Sequence, residues 1–357
     1  MSANGQLNTE TTGGAPAPAG ATAAVVQSTT SSVGNGAGVL IIGTPERTEM
    51  LYKEIRGAFG PADDAAAGGA RRLYDVEANG NGARRLDPEK LERLLLENGV
   101  SEVIVDAGLE GNQELADALI ACRFRGVRVR DTVDFFDDVE HKVWLEALSN
   151  EWLLFSDGFN HSHSYRLIKR ALDSVCAFVL MVAGAPLLAA IALAIKLDSR
   201  GPALFKQERI GLNGEPFMLY KFRSMRDDAE KETGPVWANV DDDRVTRVGS
   251  LLRKFRLDEL PQVINVVRNE LSFVGPRPER PCFVEMLREE IPFYDLRHLL
   301  KPGITGWAQV SYPYGGSVED AARKLEYDLW YAKHASLATD LWVLLKTVKV
   351  VLFGKGR

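Results

Sequence analysis

A long uncharged segment is the feature that most restricts how this chain can fold. No charged residue occurs from Ser174 to Ile195, and most positions are Ala, Leu, Val or Ile. A helix of this length is about 33 Å long at about 1.5 Å per residue, enough to cross a bilayer. The mean hydropathy of the chain is −0.12 and no second apolar run is present, which excludes a polytopic membrane protein.

Pro186 lies near the middle of this segment, where it removes a backbone hydrogen bond and kinks a helix. Basic residues flank both ends, with Lys169 and Arg170 before the segment and Lys196 and Arg200 after it. A preference for positive charge on the cytoplasmic side is then satisfied at both ends only if the helix enters and leaves on one face. We therefore favour a re-entrant helix broken at Pro186 over a straight span or the core helix of a soluble protein.

Charge divides the chain into two unequal halves. Residues 1–160 contain 14 Lys and Arg against 25 Asp and Glu, whereas residues 161–357 contain 29 against 24. The positive second half favours an anionic partner, whether a phosphate, a lipid headgroup or a nucleic acid. The three cysteines form no CxxC pair, which excludes a disulfide scaffold and a cysteine zinc site.

The first half predicts a tail followed by an α/β module. Residues 1–37 are mostly small and polar, so we expect a disordered tail. Across 38–160, apolar strand segments alternate with helical ones, which predicts a Rossmann-like module with a parallel sheet. The turn after the first strand lacks the second and third glycines of G-x-G-x-x-G, so a structural or regulatory role is favoured over NAD binding. We expect the acidic run at 131–140 to be a solvated surface.

The second half, residues 161–357, carries basic residues in turns rich in Gly and Pro, and it ends in a helical pattern. Such turns let a backbone approach a ligand closely, and converging cations would make a pocket for a diphosphate. The C-terminal leucines, spaced as in a helix beside Lys346 and Lys349, favour an amphipathic helix on a membrane over a helix packed on a core. The cations of the turns are Lys206, Arg209, Lys221, Arg223, Arg253 and Arg277.

Adjacent carboxylates at Asp258 and Glu259 follow one of these turns. Neighbouring side chains point in different directions, so the two cannot perform the same task. One could coordinate Mg²⁺ together with substrate phosphates, and the other could attack phosphorus. The dipeptide alone also fits a surface ion-pair cluster.

The order of the motifs in the second half resembles the bacterial sugar transferases, or monotopic phosphoglycosyl transferases. The resemblance covers about residues 165–357 and includes six ordered elements. The details at residues 312–320 resemble the subgroup of exopolysaccharide systems. The elements are Lys169-Arg-x-x-Asp173, the helix with Pro186, Lys-Phe-Arg-Ser-Met at 221–225, Leu-Asp-Glu-Leu-Pro-Gln at 257–262, Ser-Phe-Val-Gly-Pro-Arg-Pro at 272–278 and Pro-Gly-Ile-Thr-Gly-Trp-Ala-Gln-Val at 302–310.

The resemblance implies a mainly helical monotopic domain that transfers a sugar-1-phosphate from a UDP-sugar to polyprenyl phosphate. Asp258 would be the nucleophile and form a phosphosugar-aspartyl intermediate, and Glu259 would hold Mg²⁺. Arg277, flanked by Pro276 and Pro278, would contact the nucleotide. Further substrate-binding residues would be Lys221, Arg223 and Arg253, which clamp phosphates, together with Lys206, Arg209 and Gln309.

The expected place of such an enzyme is the cytoplasmic face of a bacterial inner membrane, among bilayer lipids. We expect no nucleic-acid partner and consider a homodimer possible. The sugar is not readable from the sequence. The alternative is a membrane-tethered nucleotide-sensing or scaffold protein without catalysis, and an oxidoreductase built on the first module is disfavoured by the missing glycines.

Overall fold

In the computed structural model, the described residues are 22–27, 38–43, 100–106, 113–226, 244–313 and 315–353, with single positions at 50, 51, 54, 91 and 95. The chain divides into two compact units, residues 1–135 and 136–357. Both units mix helices with strands.

The first unit contains a four-stranded sheet. Its elements are β1 (Thr22–Gln27), β2 (Gly38–Gly43), β3 (Val100–Val105), α1 (Gln113–Phe124) and β4 (Arg128–Asp131), and the strands lie in the order β1-β2-β3-β4. Strands β2, β3 and β4 run parallel, as the alternating pattern predicts. Leu40 and Ile42 of β2 join Val103 and Leu115 in one buried cluster. The apolar run Leu73-Tyr-Asp-Val76 predicts a further strand, which lies outside the described residues.

Strand β1 contradicts part of the predicted disordered tail. It pairs antiparallel with β2, with Thr22 opposite Gly43 and Gln27 opposite Gly38. Its sequence, TAAVVQ, contains three β-branched residues, which suit an extended chain. The composition of residues 1–37 as a whole concealed this short strand, since Gly, Ser and Thr dominate around it.

The boundary between the units lies within α2 (Thr132–Val139), earlier than the predicted one at residue 160. Residues 136–160 belong to the second unit, where hydrogen bonds join them to segments much later in the chain. Trp330 Nε1 donates to the carbonyl of Asp137 (3.0 Å), and Val143 N donates to the carbonyl of Glu326 (3.0 Å). The acidic run is not a solvated surface throughout, because Phe135, Phe136 and Asp137 are buried.

The second unit is mainly helical and includes two small sheets. The elements are α3 (Asn150–Phe155), α4 (His163–Asp198), β5 (Leu204–Ile210), β6 (Pro216–Phe222), α5 (Arg247–Lys254), α6 (Val263–Val267), β7 (Ser272–Val274), α7 (Pro281–Glu290), β8 (Gly303–Thr305), α8 (Trp307–Ser311), α9 (Val318–His334) and α10 (Leu337–Phe353). Short 3₁₀ helices occur at Leu145–Ala147, Leu212–Gly214, Leu257–Gln262 and Tyr294–Leu299. An antiparallel hairpin pairs β5 with β6, and β7 runs parallel to β8.

Helix α4 contains the uncharged segment and is, within the described residues, the one helix long and apolar enough to cross a membrane. Its backbone stays helical through Pro186, so the predicted break does not interrupt the helix. Ala177, near the start of the uncharged segment, packs with Leu219, and Ile195, at the end of that segment, packs with Phe222. Most of the apolar side chains between these contacts are exposed.

Polar contacts fasten both ends of α4 to the second unit. Near its start, Lys169 Nζ lies 2.6 Å from Asp340 Oδ2 of α10, and Ser272 Oγ donates to Asp173 Oδ2 (2.7 Å). At its end, Val248 N donates to Asp198 Oδ2 (3.2 Å). The Lys169 and Asp173 motif therefore joins the apolar helix to the rest of the unit.

Helix α10 combines features of both predicted alternatives. Val343 is fully buried and Asp340 is 8% exposed, so one face packs on the unit. Leu341, Leu345 and Val348 lie on another face, and each is more than half exposed. The helix is packed and still presents an apolar stripe.

Candidate functional site

The candidate site is built on the 3₁₀ helix Leu257–Gln262, which carries Asp258 and Glu259. Arg256 precedes it with φ of 53°, in the left-handed region that residues with a side chain seldom adopt. The backbone turns at Arg256, between the end of α5 and the start of the 3₁₀ helix. Both carboxylates follow directly after this turn.

Glu259 is the most strongly paired carboxylate of the site. Its Oε1 lies 2.7 Å from Arg277 Nη2 and 3.2 Å from Lys221 Nζ, and its Oε2 lies 3.8 Å from Arg256 Nη1. Burial alone would raise the pKa of Glu259, but Arg277, Lys221 and Arg256 outweigh it and hold the pKa well below its usual range. Glu259 is therefore charged at all physiological pH values.

Asp258 has a different electrostatic environment from its neighbour. Burial and the negative charge of Glu259 raise the pKa of Asp258, while Lys221, Arg253 and Arg277 act in the opposite direction. The side chain is half-buried. The surroundings of the two carboxylates therefore differ: Glu259 is a fixed anion among cations, and Asp258 is the more basic carboxylate.

A small cavity is lined in part by Lys221 and Arg277, the cations that pair with Glu259. Its walls include three cationic side chains, two apolar ones and one amide: Arg209, Lys221, Arg277, Leu219, Pro278 and Gln262. The hairpin β5–β6 supplies Arg209, Leu219 and Lys221, and the Pro-Arg-Pro segment supplies Arg277 and Pro278. Burial lowers the pKa of Lys221, and it lowers the pKa of Arg209 to about 10, which leaves Arg209 cationic at neutral pH.

The Pro-Arg-Pro segment is held by tight backbone packing. A Cβ on Gly275 would lie 2.3 Å from the carbonyl oxygen of Lys301, so only glycine fits there. Gly303 N donates to the carbonyl of Pro276 (2.9 Å), and Arg209 Nη1 donates to the carbonyl of Pro278 (3.0 Å). These contacts fix the segment that presents Arg277.

Arg297 and Asp328 hold this segment through buried hydrogen bonds. Arg297 Nη2 donates to the carbonyl of Arg277 (2.9 Å) and also to Asp328 Oδ2 (2.8 Å). Asp328 is 1% exposed and Arg297 is 8% exposed. Sequence reasoning missed both residues because they lie far along the chain from Arg277, in segments without a chemical motif. Gln262 was also missed, although it closes the Leu-Asp-Glu-Leu-Pro-Gln motif.

Arg223 does not serve as the predicted phosphate clamp. It is 4% exposed, and its guanidinium donates to the carbonyls of Arg200 (2.8 Å) and Ser199 (2.9 Å) and to Ser199 Oγ (2.7 Å). Those carbonyls follow the end of α4, where the backbone lacks helical partners. Arg223 therefore caps the apolar helix instead of facing the cavity.

Two other predicted residues lie outside the cavity walls. Lys206 is exposed, with its Nζ 5.6 Å from the centroid of the Tyr220 ring. Gln309 Nε2 of α8 donates to the carbonyl of Ile304 in the preceding strand β8 (3.4 Å). Arg253 does not line the cavity either, but its charge acts on Asp258.

Glu259 is the carboxylate that would bind a magnesium ion at this site. No cluster of three or more His, Cys, Asp or Glu side chains suited to a metal occurs among the described residues. Glu259 Oε1 is engaged by Arg277 and Lys221, whereas Oε2 has only the longer Arg256 contact. Mg²⁺ commonly binds through one or two carboxylates with water and substrate phosphates. The donor set fits that mode and does not fit an all-protein site.

The sequence of this chain is similar to those of a known protein family. The family model described as "Bacterial sugar transferase" matches residues 164–354. A protein of Aeromonas hydrophila, named UDP-N-acetylgalactosamine-undecaprenyl-phosphate N-acetylgalactosaminephosphotransferase, is 44% identical over 54% of this chain and 45% of its own. Several relatives are named UDP-glucose:undecaprenyl-phosphate glucose-1-phosphate transferase, and two of them illustrate the similarity. The one from Caulobacter vibrioides is 46% identical over 52% of this chain and 70% of its own, and the one from Xanthomonas campestris pv. campestris is 34% identical over 74% and 56%.

The chain thus spans about half the length of several curated relatives, and their names differ in the sugar. The match lies over the apolar helix, the paired carboxylates and the Pro-Arg-Pro segment. Because the family model covers more than half of the chain, the chain belongs to the bacterial sugar transferase family.

Proposed function

We propose that this protein transfers a sugar-1-phosphate from a UDP-sugar to undecaprenyl phosphate, which starts an exopolysaccharide repeat unit. The observation that carries the proposal is that Lys221 and Arg277, two of the three cations of the cavity wall, act electrostatically on the half-buried Asp258. Cations in this position would attract a diphosphate to the neighbourhood of a carboxylate. The names of the relatives supply the substrates.

Asp258 is proposed as the nucleophile. A carboxylate oxygen forms a bond to the β-phosphorus of the UDP-sugar, the bond from that phosphorus to the bridging oxygen breaks, and UMP leaves with the electron pair. An oxygen of undecaprenyl phosphate then attacks the same phosphorus and releases the Asp258 carboxylate. The product is a sugar linked to undecaprenyl diphosphate, and no oxidant or reductant is needed.

The cations around the nucleophile have proposed roles in charge stabilisation. Arg277 and Lys221 would neutralise phosphoryl oxygens as negative charge moves to the leaving UMP. Glu259 would hold these cations in place and provide a ligand to Mg²⁺, which when bound neutralises the diphosphate. Arg297 would position Arg277 through its backbone carbonyl.

We further propose that α4 is a re-entrant membrane helix. Its exposed apolar side chains lie between two ends that are both bonded to the second unit, at Asp173 and at Asp198. Ends that contact one soluble body stay on one side of a membrane. Pro186 supplies the weakened point for a bend, and the apolar stripe of α10 would lie against the same surface. That surface is proposed to be the cytoplasmic face of the inner membrane.

The function is tested by measuring UMP release from a panel of UDP-sugars with undecaprenyl phosphate. The wild type should release UMP from at least one sugar nucleotide, Asp258→Asn should lose this activity, and the exposed control Asp157→Asn should retain it. Full activity of Asp258→Asn would refute the assignment of the nucleophile. No release from any sugar nucleotide would favour the scaffold without catalysis.

The membrane topology is tested with single cysteines at Leu172 and Leu197, in a background without Cys122, Cys176 and Cys282. A membrane-impermeant maleimide should label both positions from the cytoplasmic side of vesicles. Labelling of the two positions from opposite sides would show a straight span.

A further inference from the structure

Asn265, on α6, is fully buried, and its side-chain amide makes three hydrogen bonds. Nδ2 donates to the carbonyl of Met218 (2.6 Å) and to Glu270 Oε2 (2.6 Å), and Oδ1 accepts from Tyr220 N (3.1 Å). Both donors of the amide are therefore in use. A fully paired polar group in the interior fixes the segments that it joins, because breaking a bond leaves a buried group unsatisfied.

Two of these bonds hold strand β6 by its backbone. Met218 and Tyr220 are two residues apart, so in an antiparallel hairpin their backbone groups point to the same edge of the strand. The Asn265 amide accepts from the later residue and donates to the earlier one, as a residue of a parallel neighbouring strand would. A slip of β6 by one residue would break both bonds, so Asn265 sets the register of β6 against α6.

The two segments that Asn265 joins both lead directly to the candidate site. Lys221 follows Tyr220 in β6, and the 3₁₀ helix that carries Asp258 and Glu259 continues into α6. Lys221 Nζ lies 3.2 Å from Glu259 Oε1. A lysine side chain is flexible and carries its charge at one point, so the place of that charge depends on the backbone that bears it.

We propose that Asn265 is a positioning residue, which holds Lys221 at the candidate site through the backbone of β6. The inference rests on the proposed function, in which Lys221 neutralises a phosphoryl oxygen near Asp258. Asn265 acts through β6 and not through contact with a substrate. Its loss should nevertheless slow the reaction, because a displacement of about 1 Å at a catalytic group can cost about 100-fold in rate.

Two uncharged substitutions test this role in the UMP-release assay. Asn265→Ala removes all three hydrogen bonds, and Asn265→Leu removes them while nearly keeping the volume of the side chain. We expect each to lower kcat/KM about tenfold or more. The matched control Asn150→Ala, at an exposed position of α3, should equal the wild type, and Val284→Ala, at a buried position of α7, shows the effect of reduced stability alone.

The pH profile separates positioning from a loss of stability. Lys221 acts to lower the pKa of Asp258, so moving Lys221 away should raise that pKa. On the acidic side of its pH profile, kcat/KM of Asn265→Ala should therefore fall with a higher apparent pKa than that of the wild type. Val284→Ala should keep the wild-type value. An Asn265→Ala protein with reduced kcat/KM and the wild-type apparent pKa would overturn the positioning role.

Chemical labelling tests the inference without catalysis. An amine-reactive acetylating reagent should modify Lys221 several-fold faster in Asn265→Ala than in the wild type, because Nζ leaves Glu259, and Asn150→Ala should equal the wild type. Equal rates in all three proteins would overturn the inference. A wild type that releases no UMP refutes the proposed function, and the labelling then still decides whether Asn265 holds Lys221.

Hydrogen exchange of the wild type covers the case in which neither Asn265 variant folds. The Tyr220 amide should exchange slowly, because it donates to a buried acceptor. Exchange of this amide as fast as that of an exposed strand edge would overturn the inference.

Discussion

Replacement of Glu259 by Gln tests the electrostatic core of the site. The substitution removes the negative charge shared by Arg277 (2.7 Å), Lys221 (3.2 Å) and Arg256 (3.8 Å), and leaves the volume of the side chain unchanged. Removing one partner of a buried ion pair costs about 3–5 kcal/mol. Because the Arg256 and Arg277 side chains are 34% and 32% exposed, water screens part of the unbalanced charge, and we expect the lower end, about 3 kcal/mol.

Thermal unfolding in detergent measures this cost. A domain of this size loses about 2–4 °C of melting temperature per kcal/mol, so Glu259→Gln should melt about 6–12 °C below the wild type. The matched control is Glu208→Gln, an exposed glutamate on β5, which should melt within about 2 °C of the wild type. A Glu259→Gln protein that melts with the wild type would refute the reasoning.

The stability that Glu259 contributes should depend on pH in one direction. The pKa of Glu259 is lower in the folded protein than in the unfolded chain, so its contribution to stability is complete above the unfolded pKa of about 4.3. The contribution falls as pH drops below that value towards the folded pKa. The melting temperatures of wild type and Glu259→Gln should therefore differ most above about pH 5 and converge in more acidic buffer.

Three further predictions concern the rest of the unit. On the acidic side of its pH profile, kcat/KM should fall with an apparent pKa above the ordinary aspartate value of about 3.9, because the pKa of Asp258 is raised and the nucleophile must be deprotonated. An apparent pKa at or below that value would contradict this prediction. Arg223→Ala should speed hydrogen exchange at residues 196–200 by removing three hydrogen bonds at the end of α4, and unchanged exchange would contradict the capping role. Arg297→Lys should raise the KM for the UDP-sugar several-fold by releasing the carbonyl of Arg277, and an unchanged KM would contradict the positioning role.

Local patterns in the sequence were enough to propose part of the candidate site. Asp258 and Glu259 could be proposed because the carboxylate pair lies beside arginines and within a series of ordered motifs. The helix over the uncharged segment was predicted from its composition and length, and the structure has a helix there. The parallel strands of the first unit followed from the alternation of elements.

The parts that were missed or wrong depend on contacts distant in the chain. Arg223 was assigned to phosphate because it lies two residues from Lys221, yet its partners, Ser199 and Arg200, follow helix α4. Arg297 lies 20 residues beyond Arg277, whose carbonyl it holds, and Asp328 lies 31 residues beyond Arg297. A count of charges in a turn does not reveal which of them face a cavity and which cap a helix.

The central claim is that Asp258 carries the sugar phosphate during transfer. The most direct measurement uses a UDP-sugar labelled with ³²P at the β-phosphate, mixed with the protein without undecaprenyl phosphate, quenched in acid and digested to peptides. We predict that the label is found on the peptide that contains Asp258, that added undecaprenyl phosphate removes it, and that Asp258→Asn acquires none. Transfer to undecaprenyl phosphate at the wild-type rate by Asp258→Asn, with no labelled peptide, would contradict the account.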